Sequence, residues 1–336
     1  QPDLWRLAAT PGVLMRMYAV HRSGHGLPGA LARAYGVVMR WLLGSRESQR
    51  RRAEFHRFAE TALVRLAFTM TNRAGFLRAF SLAEAIRAVD CVLADRIDGQ
   101  TGAARRALAT RWLRFECGAS HILEERGRGN FQFRDPTMQA YLTAVGLARR
   151  EREHARGWWR IVKGKLDEPA WSEALELFPA CLHGYSEEHV DRLFDQLLRL
   201  GDGASLPDQA RILGHIERII APMAAHEYSL PRGLHTAFDA LQARVLPFLV
   251  NGTPLTLRIT ARMAYKCARR PRQADELLVL PGLRVRLGKY PVTVAEFSRF
   301  VESGGYSDDT LWDPEGIIIR DQEKWTEPES WVQQIW

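Results

Sequence analysis

The stretch FQFRDPTMQAYLTA, residues 131–144, joins an extended segment to a helix. Phe131 and Phe133 belong to the end of the extended segment. Asp135 can accept hydrogen bonds from the free amides of a helix start, and Pro136 fits the first helical turn, where no amide hydrogen is needed. Asp135-Pro136 therefore predicts a junction at which a helix begins.

The residues before this junction predict a helical region that ends in a β-hairpin. Residues 121–133, HILEERGRGNFQF, alternate apolar and polar side chains around a Gly-Arg-Gly-Asn turn, which is typical of a hairpin. Further upstream, Ser81 and Glu84 form a capping box at one helix start, and apolar residues recur at helical spacing in two earlier segments. These apolar residues are Leu27, Leu31, Tyr35, Val38 and Leu42, then Phe55, Phe58, Ala62, Leu66 and Met70. Helices, a hairpin and a following helix together predict a winged-helix domain with the hairpin as its wing.

The chain after this domain changes character twice. From about Trp158 to Arg270, successive helical patterns are separated by Pro or Gly, which predicts an α-helical array. After Pro281 the pattern is mixed, and LRVRL (283–287) and GIIIR (316–320) have the character of short β-strands. A domain boundary is therefore predicted near Pro281.

The charge distribution supports that boundary. Residues 281–336 hold six Lys/Arg and ten Asp/Glu, a net charge of −4. Because the whole chain carries +8, residues 1–280 carry +12. The arginine pairs of the basic part, such as Arg149-Arg150, lie on helical patterns. We expect them to form solvated helix faces rather than a nucleic-acid interface.

Neither a membrane-spanning nor a secreted protein is predicted. No apolar run approaches the roughly 18 residues that a membrane helix requires, and no secretory signal precedes Trp5. The cysteines are far apart and show neither a disulfide framework nor a metal-binding spacing, which favours buried thiols in a reducing, cytoplasmic compartment. They are Cys91, Cys117, Cys181 and Cys267.

The motifs of autonomous catalysis do not occur in these 336 residues. The sequence contains no G-x-x-x-x-G-K-[ST] phosphate loop and no G-x-S-x-G nucleophile elbow. His21 and His25 are four residues apart, but the Ser-Gly between them indicates a loop rather than a metal site. Because the chain starts at Gln1 and stops at Trp336 without a closing signal, we expect it to be a piece of a longer protein.

Three segments, in the same order, resemble the NACHT-type STAND NTPases. TPGVLMRMYAVHRSGHGLPGALARAYGVVMRWLL (10–43) is similar to the segment that follows the nucleotide-binding core of that family, which has a proline turn, a His/Gly loop, Leu-Pro, and a helix with a Tyr near its start. FQFRDPTMQAYLTA resembles the family's winged-helix motif. WWRIVKGKLDEPAWSEALELFPACL (158–182) resembles the Trp-bearing helices that follow it.

The resemblance implies two nucleotide contacts on the lid side. Pro11 matches the proline that packs near the adenine, although a helix-starting proline is the alternative. Asp135 occupies the position of the histidine that reaches the phosphates, and Ala140 that of the family's Glu. An ionised carboxylate cannot donate to a phosphate and would repel it. Asp135 therefore either weakens the diphosphate contact or serves only as a helix cap, and we favour the cap.

A second resemblance covers residues 279–336. LGKYPVTVAEFSRFVESGGY (287–306), then Leu311-Trp312, then EPESW (327–331), are similar to the opening of a formylglycine-generating-enzyme-like (sulfatase-modifying-factor) domain, which implies a C-type-lectin-like α+β fold. The matching positions are Gly288, Pro291, Val292, Thr293, Phe297, Phe300, Gly304, Gly305, Tyr306, Pro328 and Trp331. Oxidases of that family use a copper-binding cysteine pair late in the domain. Residues 279–336 contain no cysteine, so no catalytic or metal residue is carried over.

These observations predict a mainly α chain in four parts. The parts are a helical domain following an NTPase core (1–80), a winged-helix domain (81–150), an α-helical array (151–275) and the truncated start of the formylglycine-generating-enzyme-like domain (279–336).

The function predicted is that of a STAND/NACHT signal-transduction switch, similar to bacterial defence receptors. ATP or ADP with Mg²⁺ would bind a core upstream of the chain, and a copper or other metal site could exist only beyond its C-terminus. The partners expected are the nucleotide, an unidentified peptide or protein ligand and, on activation, further copies of the chain, with no membrane and no nucleic acid. The alternative is a formylglycine-generating oxidase, or a related non-haem-metal enzyme, regulated by the helical region.

The missing phosphate loop gives a direct prediction. Residues 1–336 alone should not hydrolyse ATP, because no loop is present to cradle the β- and γ-phosphates. Phosphate release from ATP and Mg²⁺ should equal the rate of a protein-free blank. Turnover that copurifies with the chain through two different columns would contradict the prediction.

Overall fold

The structure is a computed structural model in which the chain is mainly helical. It describes residues 22, 31–44, 55, 57–72, 79–97, 99–118, 122–125, 129–152, 157–251, 254–269, 277–279, 286–288, 297, 300–301 and 303–327. The chain divides into two compact units, the first comprising Gln1–Gln196 and Ile219–Pro231, the second Leu197–Arg218 and Arg232–Trp336. Among the described residues, no helix combines the length and apolar character needed to cross a membrane.

The described elements follow one another in a helix-rich order. The helices are α1 (Leu31–Gly44), α2 (Ala59–Thr71), α3 (Leu82–Arg96), α4 (Gly102–Gly118), α5 (Pro136–Arg152), α6 (Trp158–Lys165), α7 (Ser172–His183), α8 (Glu187–Arg199), α9 (Leu206–Ile220), α10 (Arg232–Asn251), α11 (Leu255–Arg269) and α12 (Pro314–Glu323). The strands are β1 (Phe80–Ser81), β2 (Leu123–Glu125), β3 (Asn130–Phe133), β4 (Leu277–Val279) and β5 (Arg286–Gly288). The mainly α class predicted from the sequence is confirmed.

The first unit contains a small antiparallel sheet with the order β1-β3-β2. The predicted hairpin is formed by β2 and β3, in which Leu123 lies opposite Phe133 and Glu125 opposite Phe131. Phe131 and Phe133 are buried, whereas Gln132 between them is half-buried and bonds to Glu124 of the neighbouring strand. The alternation seen in the sequence is thus the alternation of the two sheet faces.

The capping box at the start of α3 is also confirmed. The amide of Glu84 donates to the hydroxyl of Ser81, and the carboxylate of Glu84 accepts from the amide of Ser81. β1 ends at the same serine and pairs with β3, because Phe80 lies opposite Phe131. Ser81 therefore ends a strand and begins a helix in one residue.

An apolar core holds α1 to α5 around this sheet. It includes all five residues predicted to be buried in the second helical segment, and Phe58 packs against the fully buried Trp112 of α4 with ring centroids 6.1 Å apart. The five are Phe55, Phe58, Ala62, Leu66 and Met70. Of the first segment, Tyr35 and Val38 are buried in the same core, and α1 ends at Gly44.

Helices α2 and α5 approach each other closely at a glycine. A Cβ added at Gly146 of α5 would lie 3.2 Å from Val64 and 3.6 Å from Phe68, both on α2. Arg150 lies one turn further along, with its guanidinium carbon 4.0 Å from the centroid of the Phe68 ring. The side of α5 that faces α2 therefore has a glycine near its middle and an arginine near its C-terminal end.

The second unit packs α9, α10 and α11 around one acidic side chain. Glu217 of α9 accepts from the hydroxyl of Tyr265 at 2.6 Å and lies 3.1 Å from Nε of Arg269, both on α11. Its other oxygen accepts from Gln242 of α10 at 3.2 Å. Helices α9 and α11 also meet at Gly214, where an added Cβ would lie 2.5 Å from the backbone oxygen of Tyr265.

The C-terminal part corrects one prediction. GIIIR, expected to be β-like, lies in helix α12. Asp313 caps this helix by accepting from the amide of Gly316 at 2.6 Å, and Pro314 occupies its first turn. The Asp-Pro signal that starts α5 thus recurs here, and it outweighs the strand preference of three consecutive isoleucines.

The Gly-Gly-Tyr sequence, residues 304–306, ends a helical turn. The amide of Gly305 donates to the carbonyl of Phe300 at 2.8 Å, and Gly304 has a φ of 84°, in the left-handed region that favours glycine. A Cβ at Gly305 would overlap the ring of Phe300. Phe297 and Phe300 share a face, with ring centroids 5.2 Å apart, whereas Thr293 lies outside the described residues.

The close approach at Gly214 leads to a stability prediction. Gly214→Ala should lower the free energy of unfolding by about 1–3 kcal/mol, because the added methyl group must push α9 away from the α11 backbone. Gly233→Ala is the matched control: Gly233 lies in the first turn of α10 with no atom within 4 Å of an added Cβ. Calorimetry should show a lower Tm for Gly214→Ala only; equal Tm values for the two variants would contradict this packing.

Candidate functional site

The strand-to-helix junction at Asp135 has the geometry of a helix cap. Oδ1 of Asp135 accepts from the amide of Thr137 at 3.0 Å, and the backbone oxygen of Asp135 accepts from the amide of Gln139 at 3.2 Å. Pro136 is the first residue of α5 and needs no amide partner. The predicted N-cap role of Asp135 is therefore confirmed.

The second carboxylate oxygen of Asp135 binds a residue 100 positions earlier in the chain. The hydroxyl of Tyr35, on α1, donates to Oδ2 of Asp135 at 2.9 Å. Tyr35 is 2% and Asp135 5% exposed, so the hydrogen bond is shielded from water. Burial, followed by the charge of Asp135, raises the pKa of Tyr35 far above its ordinary value. The phenol thus remains a donor, and a hydrogen bond to a charged group in this setting is a strong one.

A second tyrosine holds the ring of Tyr35 in place. Tyr141, one and a half turns into α5, stacks on Tyr35 with ring centroids 5.8 Å apart and an interplanar angle of 22°. Gly36 makes room for it, since a Cβ there would lie 3.1 Å from the hydroxyl oxygen of Tyr141. Burial raises the pKa of Tyr141 as well. Helices α1 and α5 are thereby joined by a hydrogen bond and a ring stack at the same place.

The chemistry of the junction does not fit a phosphate group. Both oxygens of Asp135 already accept hydrogen bonds, and the residue offers an acceptor where a phosphate needs a donor. Pro11, the other predicted nucleotide contact, lies outside the described residues. The assignment of Pro11 and Asp135 to nucleotide binding stays a prediction, and the geometry gives Asp135 a structural role in joining α1 to α5.

A buried charged cluster lies at the opposite end of α5, and sequence reasoning did not find it. Glu151 is fully buried, and its Oε1 bonds to Arg192; its Oε2 lies 2.5 Å from Nδ1 of His189, an approach without hydrogen-bond geometry. Both partners are on α8, spaced by three residues and so on one face. A carboxylate without water needs such compensation, since loss of one partner leaves a buried charge. The spacing of His189 and Arg192 was the one available signal.

Metal binding has no support among the described residues, which contain no group of three or more His, Cys, Asp or Glu able to hold an ion. The four cysteines are free thiols. Burial raises the pKa of Cys181 to about 12 and, with the neighbouring carboxylates of Glu125 and Glu116, that of Cys117 to about 11. These two thiols are protonated at neutral pH and thus poor nucleophiles or metal ligands.

No protein-family profile, curated protein or solved structure matches this chain.

The junction predicts a measurable coupling between α1 and α5. Tyr35→Phe should lower the free energy of unfolding by about 1.5–3 kcal/mol, because the hydrogen bond to a charged, buried carboxylate is lost. In a double-mutant cycle with Asp135→Asn, whose side-chain oxygen can still cap α5, the coupling energy should reach about 1 kcal/mol.

Tyr141→Phe is the matched control for this cycle. It removes a hydroxyl from the stacked partner ring, and no hydrogen bond joins that hydroxyl to Asp135. Urea unfolding followed by circular dichroism gives the stabilities of the four proteins of the cycle and of the Tyr141→Phe control. If Tyr35→Phe lowers the free energy of unfolding no more than Tyr141→Phe does, the hydrogen bond between Tyr35 and Asp135 does not join α1 to α5.

Proposed function

We propose that residues 31–152 form the lid of a nucleotide-controlled switch of the STAND type, and that the following helices form the arm that moves with the lid. The observation that carries the proposal is the hydrogen bond between Tyr35 and Asp135. These two residues come from two of the segments that resemble the NACHT family, and they meet directly although they are 100 positions apart.

The order of elements supports a winged-helix lid. The chain runs helix α2, strand β1, helices α3 and α4, strand β2, a turn and strand β3, and the sheet order is β1-β3-β2. In a winged helix the first strand is added to the edge of a hairpin in this way, and the two helices before the hairpin pack on the sheet. Glycine at φ 78° in the hairpin turn, Gly129, fits the tip of the wing.

The nucleotide would be held by a core outside these 336 residues, in the same protein or in a partner, because no phosphate loop occurs in the sequence. The lid would take part as one body, because the hydrogen bond between Tyr35 and Asp135 joins α1 to α5. Closed and open states would differ in how this α1–α5 body lies against the core, and a diphosphate or a triphosphate would favour one or the other.

For the C-terminal residues we propose recognition of a peptide or protein ligand by the start of a lectin-like domain. The support is local: Tyr306 packs against Trp312 with ring centroids 5.1 Å apart, and Nε1 of Trp312 donates to the backbone oxygen of Gly305 at 2.8 Å. Arg320 of α12 bonds to Asp309 at 2.7 Å and lies over the ring of Trp312. Gly305 and Tyr306 of the Gly-Gly-Tyr sequence thus both contact Trp312.

The nucleotide test uses the complete encoded protein. Purified without added nucleotide, it should retain ADP, which denaturation and chromatography would release and identify. Asp135→His should slow the loss of ADP by about tenfold, since an imidazole can donate a charge-assisted hydrogen bond that the carboxylate cannot. Asp135→Asn, which removes the charge and keeps a cap, is the control.

Two outcomes would contradict parts of this proposal. A complete protein that binds neither ADP nor ATP is not a nucleotide-controlled switch. A normal wild-type level of ADP with equal loss rates in Asp135→His and Asp135→Asn would leave the switch in place but exclude a phosphate contact at this residue.

A further inference from the structure

An open cleft of about 400 Å³ lies in the first unit, and arginines line it. The described residues that line the cleft are Arg57, Glu60, Thr61, Arg96, Arg149, Arg152 and Tyr185. They come from the turn before α2 and its first turn, from the ends of α3 and α5, and from the connection between α7 and α8. We call this site the arginine cleft.

The arginine cleft has an uneven charge. Four guanidinium groups line it against the single carboxylate of Glu60, and that carboxylate bonds to Arg149. Among the described residues, no acidic side chain forms an ion pair with Arg57 or Arg96. Low-dielectric walls of one charge sign focus the field inside a concavity, so this cleft attracts anions.

Two of the four arginines are held in position. Arg149 is fixed by its bond to Glu60, and Arg152 lies with its guanidinium carbon 4.9 Å from the centroid of the Tyr185 ring. Tyr185 in turn contacts His189, which belongs to the buried cluster with Glu151. A guanidinium that is already oriented loses less side-chain entropy when it binds a ligand.

We propose that the arginine cleft binds a small phosphate-bearing anion. The planar guanidinium fork matches the geometry of phosphate oxygens and binds them with two parallel hydrogen bonds. Thr61 adds a hydroxyl that can donate to a further oxygen. The volume lies within the range of small-ligand sites, and the four arginines converge on one concavity instead of following a stripe, which favours a compact ligand over a nucleic-acid duplex.

This site is separate from the junction at Asp135. Arg149 lies 14 positions further along α5, so the helix places the two regions about 21 Å apart. The proposal rests on the residues of the cleft and does not depend on the nucleotide-controlled switch. Bound phosphate would link α2, α3 and α5 to the α7–α8 connection, and so would stabilise the first unit.

The test is titration calorimetry on the 336-residue chain at low salt, with pyrophosphate and with ATP as probes. The double variant Arg57→Gln, Arg96→Gln should weaken binding by at least about tenfold, because each of its two substitutions removes a charge-assisted contact with the phosphate. The matched control is Arg87→Gln combined with Arg114→Gln, which removes the same charge from exposed positions of α3 and α4 outside the cleft. Circular dichroism and Tm without ligand check that both variants fold.

The two probes identify the source of the phosphate. Equal affinity for pyrophosphate and ATP assigns binding to the phosphates alone. Tighter binding of ATP, lost in Tyr185→Leu, assigns the ligand to nucleotides, whose base would stack on the half-exposed ring. Either result supports the site, provided that the cleft variant weakens binding and the control does not.

Three results would overturn the proposal. The first is no heat with either probe at 50 mM salt. The second is equal weakening in the cleft variant and its control, which would show attraction to overall positive charge. The third is a cleft-dependent binding of duplex DNA without binding of pyrophosphate, which would make the surface a nucleic-acid interface.

Discussion

The buried carboxylate of Asp135 is the interaction on which the first unit depends. It caps α5 through the amide of Thr137 and, with its other oxygen, accepts from Tyr35 of α1. An ionised group at 5% exposure is costly unless hydrogen bonds replace its water, and these two bonds do so. Any change that separates α1 from α5 would uncover or unpair this carboxylate. The two helices are therefore held together by the cost of leaving the charge alone as well as by apolar packing.

Helix α5 carries different chemistry at its two ends. At the N-terminus, Asp135 connects it to α1; at the C-terminus, Glu151 connects it to His189 and Arg192 of α8. Between them Gly146 brings α5 against α2. A rigid helix with polar connections at both ends can transmit a displacement along about 24 Å, the helical rise over the 16 positions from Asp135 to Glu151. The arginine cleft lies beside the second connection, where a bound anion would act on it.

Local structure could be predicted from the sequence wherever a short-range physical rule decided it. The caps at Ser81 and Asp135 and the hairpin at Gly129 all depend on neighbours within a few residues. The strand prediction for GIIIR was wrong. It gave more weight to three β-branched residues than to the Asp313-Pro314 cap, which starts α12. The partner of Asp135 and the arginine cleft could not be predicted, since Tyr35 and the four arginines converge only when distant helices pack. The burial of Glu151 could not be predicted for the same reason, because its partners lie on α8.

Native-state hydrogen exchange tests the central claim most directly, because it measures how α1 and α5 open without any substitution. If the Tyr35–Asp135 bond makes them one body, the slowest amides of residues 31–44 and 136–152 should exchange with the same free energy and the same dependence on denaturant. Exchange of α1 at a clearly lower free energy, while α5 stays protected, would contradict the account. It would show that α1 opens without disturbing the capped carboxylate.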